Sequence, residues 1–179
     1  VKLLRAIRLD PSDTFVYARA AEPGEWAVPG TFAFAGMDVA SLTGKARAAF
    51  RSGFLGVESL GWSTLVQVVA ATEADRAGAV ELLAQRLVER FGAPDLATAR
   101  AAAEEEVAFA ASLSDHAEGV VVALTRRHES GDVREVFRTL APGARTEPHR
   151  VLAFVAETQE ETPVQEEIDL LSLAKGKRP

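Results

Sequence analysis

The chain has 179 residues, 47% of them hydrophobic and 26% charged, the balance of a globular domain rather than a disordered one. Its formal net charge of −6 works against bulk attraction to nucleic acid or to anionic lipid. With no cysteine, it has no disulfide, thiolate metal site, iron–sulfur ligand or cysteine nucleophile. No apolar run reaches the roughly 20 residues of a membrane span. The opening Val1-Lys2-Leu3-Leu4-Arg5 carries charge inside its apolar stretch, unlike a secretion signal. Together these features predict a mature cytoplasmic protein with no membrane association.

Residues 2–9 predict a first strand, with Ile7 and Leu9 apolar between Lys2, Arg5 and Arg8. Asp10-Pro11-Ser12-Asp13 reads as a turn, and the aromatic and β-branched residues 14–20 as a second strand. Glu22-Pro23-Gly24-Glu25 suits a type II turn. Residues 26–34 then predict a third strand, bulged at Val28-Pro29-Gly30 because proline cannot join a central ladder. Thr43 is placed to cap a short helix through Lys45, Arg47, Phe50 and Arg51, which Gly53 ends. Residues 56–61 form a loop, and the mostly apolar residues 62–70 a single interior strand.

Two long helices follow. Thr72 stands three residues before Asp75, a capping box with Asp in place of Glu or Gln. Val80, Leu83, Leu87 and Phe91 repeat on one helical face, beside Ala77 and Ala84. Gly92 and Pro94 end that helix, and after Asp95 a second stripe runs through Leu96, Ala99, Ala103, Val107, Ala110 and Leu113. Each helix is roughly 28 Å long, and so short a break between them forces an antiparallel hairpin.

Residues 119–125 predict a central strand, Ser130-Gly131 a hairpin turn, and residues 133–140 its partner strand, with neither alternation clean enough to fix which face is which. Residues 141–148 read as loop and 151–156 as a last strand. The end differs in kind: acidic at Glu157, Glu160, Glu161, Glu166 and Glu167, apolar at Ile168, Leu170, Leu171 and Leu173, then basic. Two helices of matched length return the chain to the end of the sheet that it left, so the strand at 119 runs opposite to the strand at 62. The expectation is an α+β fold: one mostly antiparallel sheet of six or seven strands, with the long antiparallel helical hairpin on one face as a two-layer sandwich. Residues 1–157 form a single domain, and 158–179 a tail with a short amphipathic segment.

Several chemistries fail on spacing. Gly44-Lys45 is not a phosphate loop, since Gly36 is too distant and Ala46 replaces the magnesium-binding hydroxyl; Thr43-Gly44-Lys45 reads as a helix start. Gly61-Trp62-Ser63-Thr64 lacks the second glycine of a nucleophile elbow. His116, His128 and His149 show no metal-ligand spacing. Glu104, Glu105 and Glu106 occupy successive helical positions and splay apart, and Arg100 with Glu104 reads as a solvated face. No catalytic residue, metal ligand or cofactor is assigned.

Two features remain. Arg126, Arg127 and His128 end one strand, Arg134 and Arg138 lie on its hairpin partner, and Arg145, His149 and Arg150 follow. Such a cluster in an acidic protein suits a phosphate- or carboxylate-bearing ligand, while the plainer alternative is a charged edge that keeps the sheet soluble. The short apolar cluster of Ile168, Leu170, Leu171 and Leu173 cannot be a stable helix alone, and must pack on its own domain, a second copy or another protein.

The chain also resembles an uncharacterised bacterial family classed as a domain of unknown function. The residues behind the resemblance are Leu4 to Asp10, Ser12 to Val16, Glu22 to Val28, Gly53-Phe54-Leu55-Gly56 and Gly61-Trp62-Ser63-Thr64. It covers nearly the whole chain and implies no activity. The functional expectation is a small non-enzymatic accessory module acting through protein–protein contacts, a homodimer with a further partner site at the C-terminal segment. Its alternative is an enzyme or binder for an anionic metabolite, working through Arg126, Arg127, His128, Arg134 and Arg138.

Overall fold

The computed structural model describes residues 1–142, 152–157 and 165–168, from residue 141 onward as backbone only. The first expected strand forms as β1 (Lys2–Ile7). The expected second strand over 14–20 does not: the chain makes a short helix, α1 (Ser12–Val16). Asp10 accepts a hydrogen bond from the Ser12 N–H at 2.8 Å, so Asp-Pro-Ser-Asp starts a helix. Burial gives the reason. On a strand Phe15 and Tyr17 would share one face, whereas here Phe15 is 72% exposed and Tyr17 only 1%.

The expected third strand over 26–34 shrinks to β2 (Ala27–Val28). Gly30, at φ +74°, diverts the chain into a 3-10 turn at Thr31–Phe34. A β-carbon on Gly30 would stand 2.4 Å from Leu55 Cβ, so the close approach of these two segments requires glycine. Next comes α2 (Gly44–Ser52), with Thr43 in the N-cap position but its hydroxyl making no capping bond. Then follow β3 (Phe54–Gly56), β4 (Trp62–Ser63) and β5 (Leu65–Ala70).

The last two replace the single strand expected over 62–70, and the break is at Thr64. The Asp13 carboxylate accepts from the Thr64 hydroxyl at 2.6 Å and from its N–H at 3.1 Å, and the Tyr17 hydroxyl lies 2.9 Å from the Thr64 hydroxyl. These bonds hold Thr64 where the chain leaves one sheet and enters another.

The helices α3 (Glu73–Arg90) and α4 (Leu96–Ser112) pack on each other. Thr72 and Asp75 complete a reciprocal capping box at 2.8 and 3.0 Å, and Asp95 caps the Thr98 N–H at 2.7 Å. Gly92 at φ +74° supplies the left-handed residue that ends α3, and the Ala93 N–H beyond it bonds back to the Leu87 carbonyl at 3.1 Å. Phe91 and Leu96, expected to face inward, lie exposed at the hairpin tip, where Phe91 instead meets the Phe32 ring edge-on at 5.2 Å. Arg100 forms a two-bond ion pair with Glu81 of the other helix rather than with Glu104.

The remaining strands are β6 (Val121–Glu129), β7 (Asp132–Pro142), β8 (Leu152–Glu157) and β9 (Gln165–Ile168), the last in what read as tail. Ser130 at φ +51° and Gly131 at φ +86° make the two-residue turn whose twist matches the strands. The expected single sheet of six or seven strands is corrected to two antiparallel sheets, one in the order β1-β5-β6-β7-β8-β9 and a small one in the order β2-β3-β4. As geometry required, β5 and β6 run antiparallel.

Leu4, Ala6, Val66, Val68, Val122 and Leu124 form one core with Val80, Leu83, Leu87, Ala103 and Val107 of the helices. Small residues along α4 let the helix approach closely. A second, smaller core joins Tyr17, Phe34, Ala49 and Phe50. It lies beside the far end of β6, which outruns β5: pairing between them stops at Ala123.

Candidate functional site

That overhang of β6 builds the site. Gly53 ends α2 with its N–H on the Ala49 carbonyl at 2.9 Å, leaving the carbonyls after Ala49 without intrahelical donors. Arg126, on the face of β6 that turns toward the core, supplies them. Its Nη1 donates to the carbonyls of Gly53 at 2.8 Å, Phe50 at 3.1 Å and Ala49 at 3.4 Å, and its Nη2 to the carbonyl of Pro29. Its Nε donates to the Thr31 hydroxyl at 2.8 Å and to Glu135 at 3.1 Å, and the guanidinium lies 5.7 Å from the centre of the Phe34 ring. The side chain is 1% exposed.

A buried cation of this kind needs compensating charge. Glu135, directly across the ladder on β7, is its ion-pair partner. Glu106 of α4 is next, held by the Gly30 N–H at 2.8 Å. Burial drives the Glu106 carboxyl above its ordinary value, the Gly30 N–H opposes that, and Glu135 adds to it. Burial likewise pulls the Arg126 guanidinium down, against the pull of Glu135 in the other direction. Tyr17, in the same neighbourhood, is raised chiefly by burial.

The period of the strand separates the five cationic side chains proposed from sequence. Arg126 and His128 fall on one face, opposite Glu135 and Val133, while Arg127 and Arg134 pair across the other face, where Arg138 also lies. Arg126 has its donors committed to the fold. Arg134 is 75% exposed and 3.5 Å from Glu129, and Arg138 stands exposed opposite Ala123. Arg127 and His128 are brought elsewhere: they border a groove of about 510 Å3 between α2 and the end of β6.

Arg47 and Arg51 line the other wall of that groove, with Val39, Ala40 and Phe50 beside them. The sequence held a signal for these two, four residues apart on one helix and therefore on one face. Arg47, Arg51 and Arg127 have no hydrogen-bond or ion-pair partner among the described residues, and the one acid at the groove, Glu129, turns to Arg134. The groove is thus an open, positively charged trough whose floor is the capped end of a helix. Arg145, His149, Arg150, Leu170, Leu171 and Leu173 lie outside the described residues, while Ile168 ends β9 in register with Leu152.

A model of a family of unknown function matches residues 1–161. The chain belongs to DUF6505. The match runs from β1 through β8 and takes in the small sheet, the helical pair and the residues of the groove. No curated protein and no solved structure matches the chain. Among the described residues, this DUF6505 chain brings together no group of three His, Cys, Asp or Glu side chains suited to a metal ion, and no helix is long and apolar enough to cross a membrane.

Proposed function

We propose that this protein is a small, cytosolic, non-enzymatic binding module, and that the groove between α2 and β6 receives a carboxylate-rich segment of a partner protein. One observation carries the reading: the guanidiniums of Arg47, Arg51 and Arg127 border one trough without partners among the described residues. An unpaired guanidinium offers a fork of donors matched to carboxylate. The openness of the trough, and its exposed cations, favour an extended segment over an enclosed metabolite. The absence of cysteine supports the cytosolic address, and the net charge of −6 counts against nucleic acid as the ligand.

The test uses fluorescently labelled deca-glutamate, with deca-lysine and inorganic phosphate as comparisons. Deca-glutamate is expected to bind with an affinity that falls as salt rises, and Arg47→Glu with Arg51→Glu is expected to weaken it by about tenfold or more. Equal binding by the reversed variant sinks the proposal, and competition by phosphate at low concentration favours an anionic metabolite instead.

Self-association is the second reading, supported by the sheet face away from the helices. Leu65, Val69, Val121, Ala123 and Val136 lie on it half-buried, and none belongs to either described core. Two such faces packed about a twofold axis would bury one another, as in a sheet sandwich. Sedimentation equilibrium on the wild type and on Val121→Asp with Val136→Asp decides it: a dimer that the double variant dissociates supports the reading, and a wild-type monomer at all concentrations ends it.

A further inference from the structure

A separate cleft of about 440 Å3 shares no residue with the groove; Arg19, Glu22, Glu58, Leu60, Arg86 and Arg90 border it. Its wall is the short loop between β3 and β4, held rigid from beneath. The buried Glu25 carboxylate accepts the N–H groups of Glu22 at 2.7 Å, Glu58 at 2.8 Å and Ser59 at 2.9 Å, together with the Ser59 hydroxyl. A β-carbon on Gly56 would come within 2.3 Å of that carboxylate, so the loop sits directly on it. Leu60 is fixed at φ +57°, a left-handed conformation that a branched side chain disfavours.

Three guanidiniums converge on this loop from two directions. Arg19 Nη1 donates to the Ser59 carbonyl at 2.9 Å and Arg86 Nη2 to the Glu58 carbonyl at 3.1 Å, while Arg86 Nη1 pairs with Glu89 of its own helix at 3.0 Å, so the loop and the helix together orient these groups. Arg90, one helical turn beyond Arg86, borders the same cleft and has no partner among the described residues. Arg86 Nε is buried with no acceptor. An unmet buried donor is costly, and the cost falls when an acceptor oxygen reaches it.

We propose that this cleft binds a small oxyanion, a phosphate or carboxylate group, between Arg19, Arg86 and Arg90. An oxyanion seated there meets the free N–H groups of Arg19 and Arg90, with the Arg86 guanidinium adding its charge from the helix wall. The loop is already in place, so binding loses little to ordering. Glu22 and Glu58 on the rim set the rest of the ligand: neutral or cationic, as in a hydroxylated or amino-bearing monoester or acid, rather than polyanionic.

The experiment is thermal unfolding of the full chain in inorganic phosphate against chloride at matched ionic strength, on the wild type, on Arg90→Ala, on Arg19→Ala with Arg90→Ala, and on Arg47→Glu with Arg51→Glu. At ten times the dissociation constant, phosphate is expected to raise the wild-type Tm by about 4 °C, saturably. The rise should shrink in Arg90→Ala, whose side chain bonds nothing described in the fold, and vanish in the Arg19, Arg90 double variant. It should persist in the groove variant. No saturable rise in the wild type overturns the proposal, as does a full rise in the double variant. So does loss of the rise in the groove variant alone, which would place the ion in the groove.

Discussion

The Arg126 guanidinium and the Gly53 carbonyl, 2.8 Å apart, tie the last turn of α2 to a strand 73 residues further along the chain. The same side chain also satisfies Phe50, Pro29, Thr31 and Glu135. Removing it leaves buried helix-end carbonyls without donors and takes the counter-charge from Glu135, which keeps only its bond from the Thr31 hydroxyl. Arg126→Met is therefore expected to cost about 3–5 kcal/mol in urea unfolding, and Arg126→Lys most of that, since one ammonium cannot reach six acceptors in a fork. A loss below about 1 kcal/mol would show the acceptors to be satisfied otherwise.

Thr64 marks the change of sheet. Thr64→Val keeps the shape of the side chain but removes the hydroxyl that meets Asp13 and Tyr17. Asp13 is 6% exposed, so its carboxylate loses one of two partners while buried. The expected loss is about 1–3 kcal/mol, and Asp13→Asn should lose less in the Thr64→Val background than alone. Urea unfolding of the four-member cycle measures the coupling.

Gly30 and Gly92 share the same φ of +74° but not the same surroundings. At Gly92 an added methyl meets nothing within 4 Å, whereas at Gly30 it meets Leu55 Cβ at 2.4 Å. Gly92→Ala is expected to cost about 1–2 kcal/mol, from the left-handed backbone alone. Gly30→Ala should cost about 1–3 kcal/mol more, from forced repacking. Equal losses would mean that the β2–β3 packing yields freely.

The pH dependence has a definite sign. Glu106 is raised in the folded protein, so between its ordinary value of 4.5 and its raised value the folded chain holds a proton that the unfolded chain has lost. Stability from this group is present below that window and is lost as pH rises through it. Glu106→Gln keeps an acceptor for the Gly30 N–H and removes the titration. Comparing the urea midpoints of wild type and variant across pH, the variant is expected to gain relative stability as pH rises from about 4.5. A gap that stays constant with pH would place the titration on another group.

Much of this was legible along the chain because the signals were local. Thr72 with Asp75, Gly92 and Asp95 bound two helices through their own neighbouring backbone groups, and Ser130-Gly131 set a turn within two residues. The matched helix lengths then fixed the direction of β6 against β5 without any tertiary knowledge. Arg47 and Arg51 were also within reach, by helical spacing.

What the amino-acid sequence alone determined is where segments start, stop and reverse, since caps and tight turns are satisfied a few residues away. Only the folded chain decided where residues 62–70 break, which aromatic residue of 14–20 turns inward, and which arginine is given over to structure. Each of those depends on a partner from elsewhere: Asp13 for Thr64, the second core for Tyr17, and the end of α2 for Arg126. A polar side chain reads the same whether it meets water or a buried carbonyl, and the difference enters only when the chain closes around it.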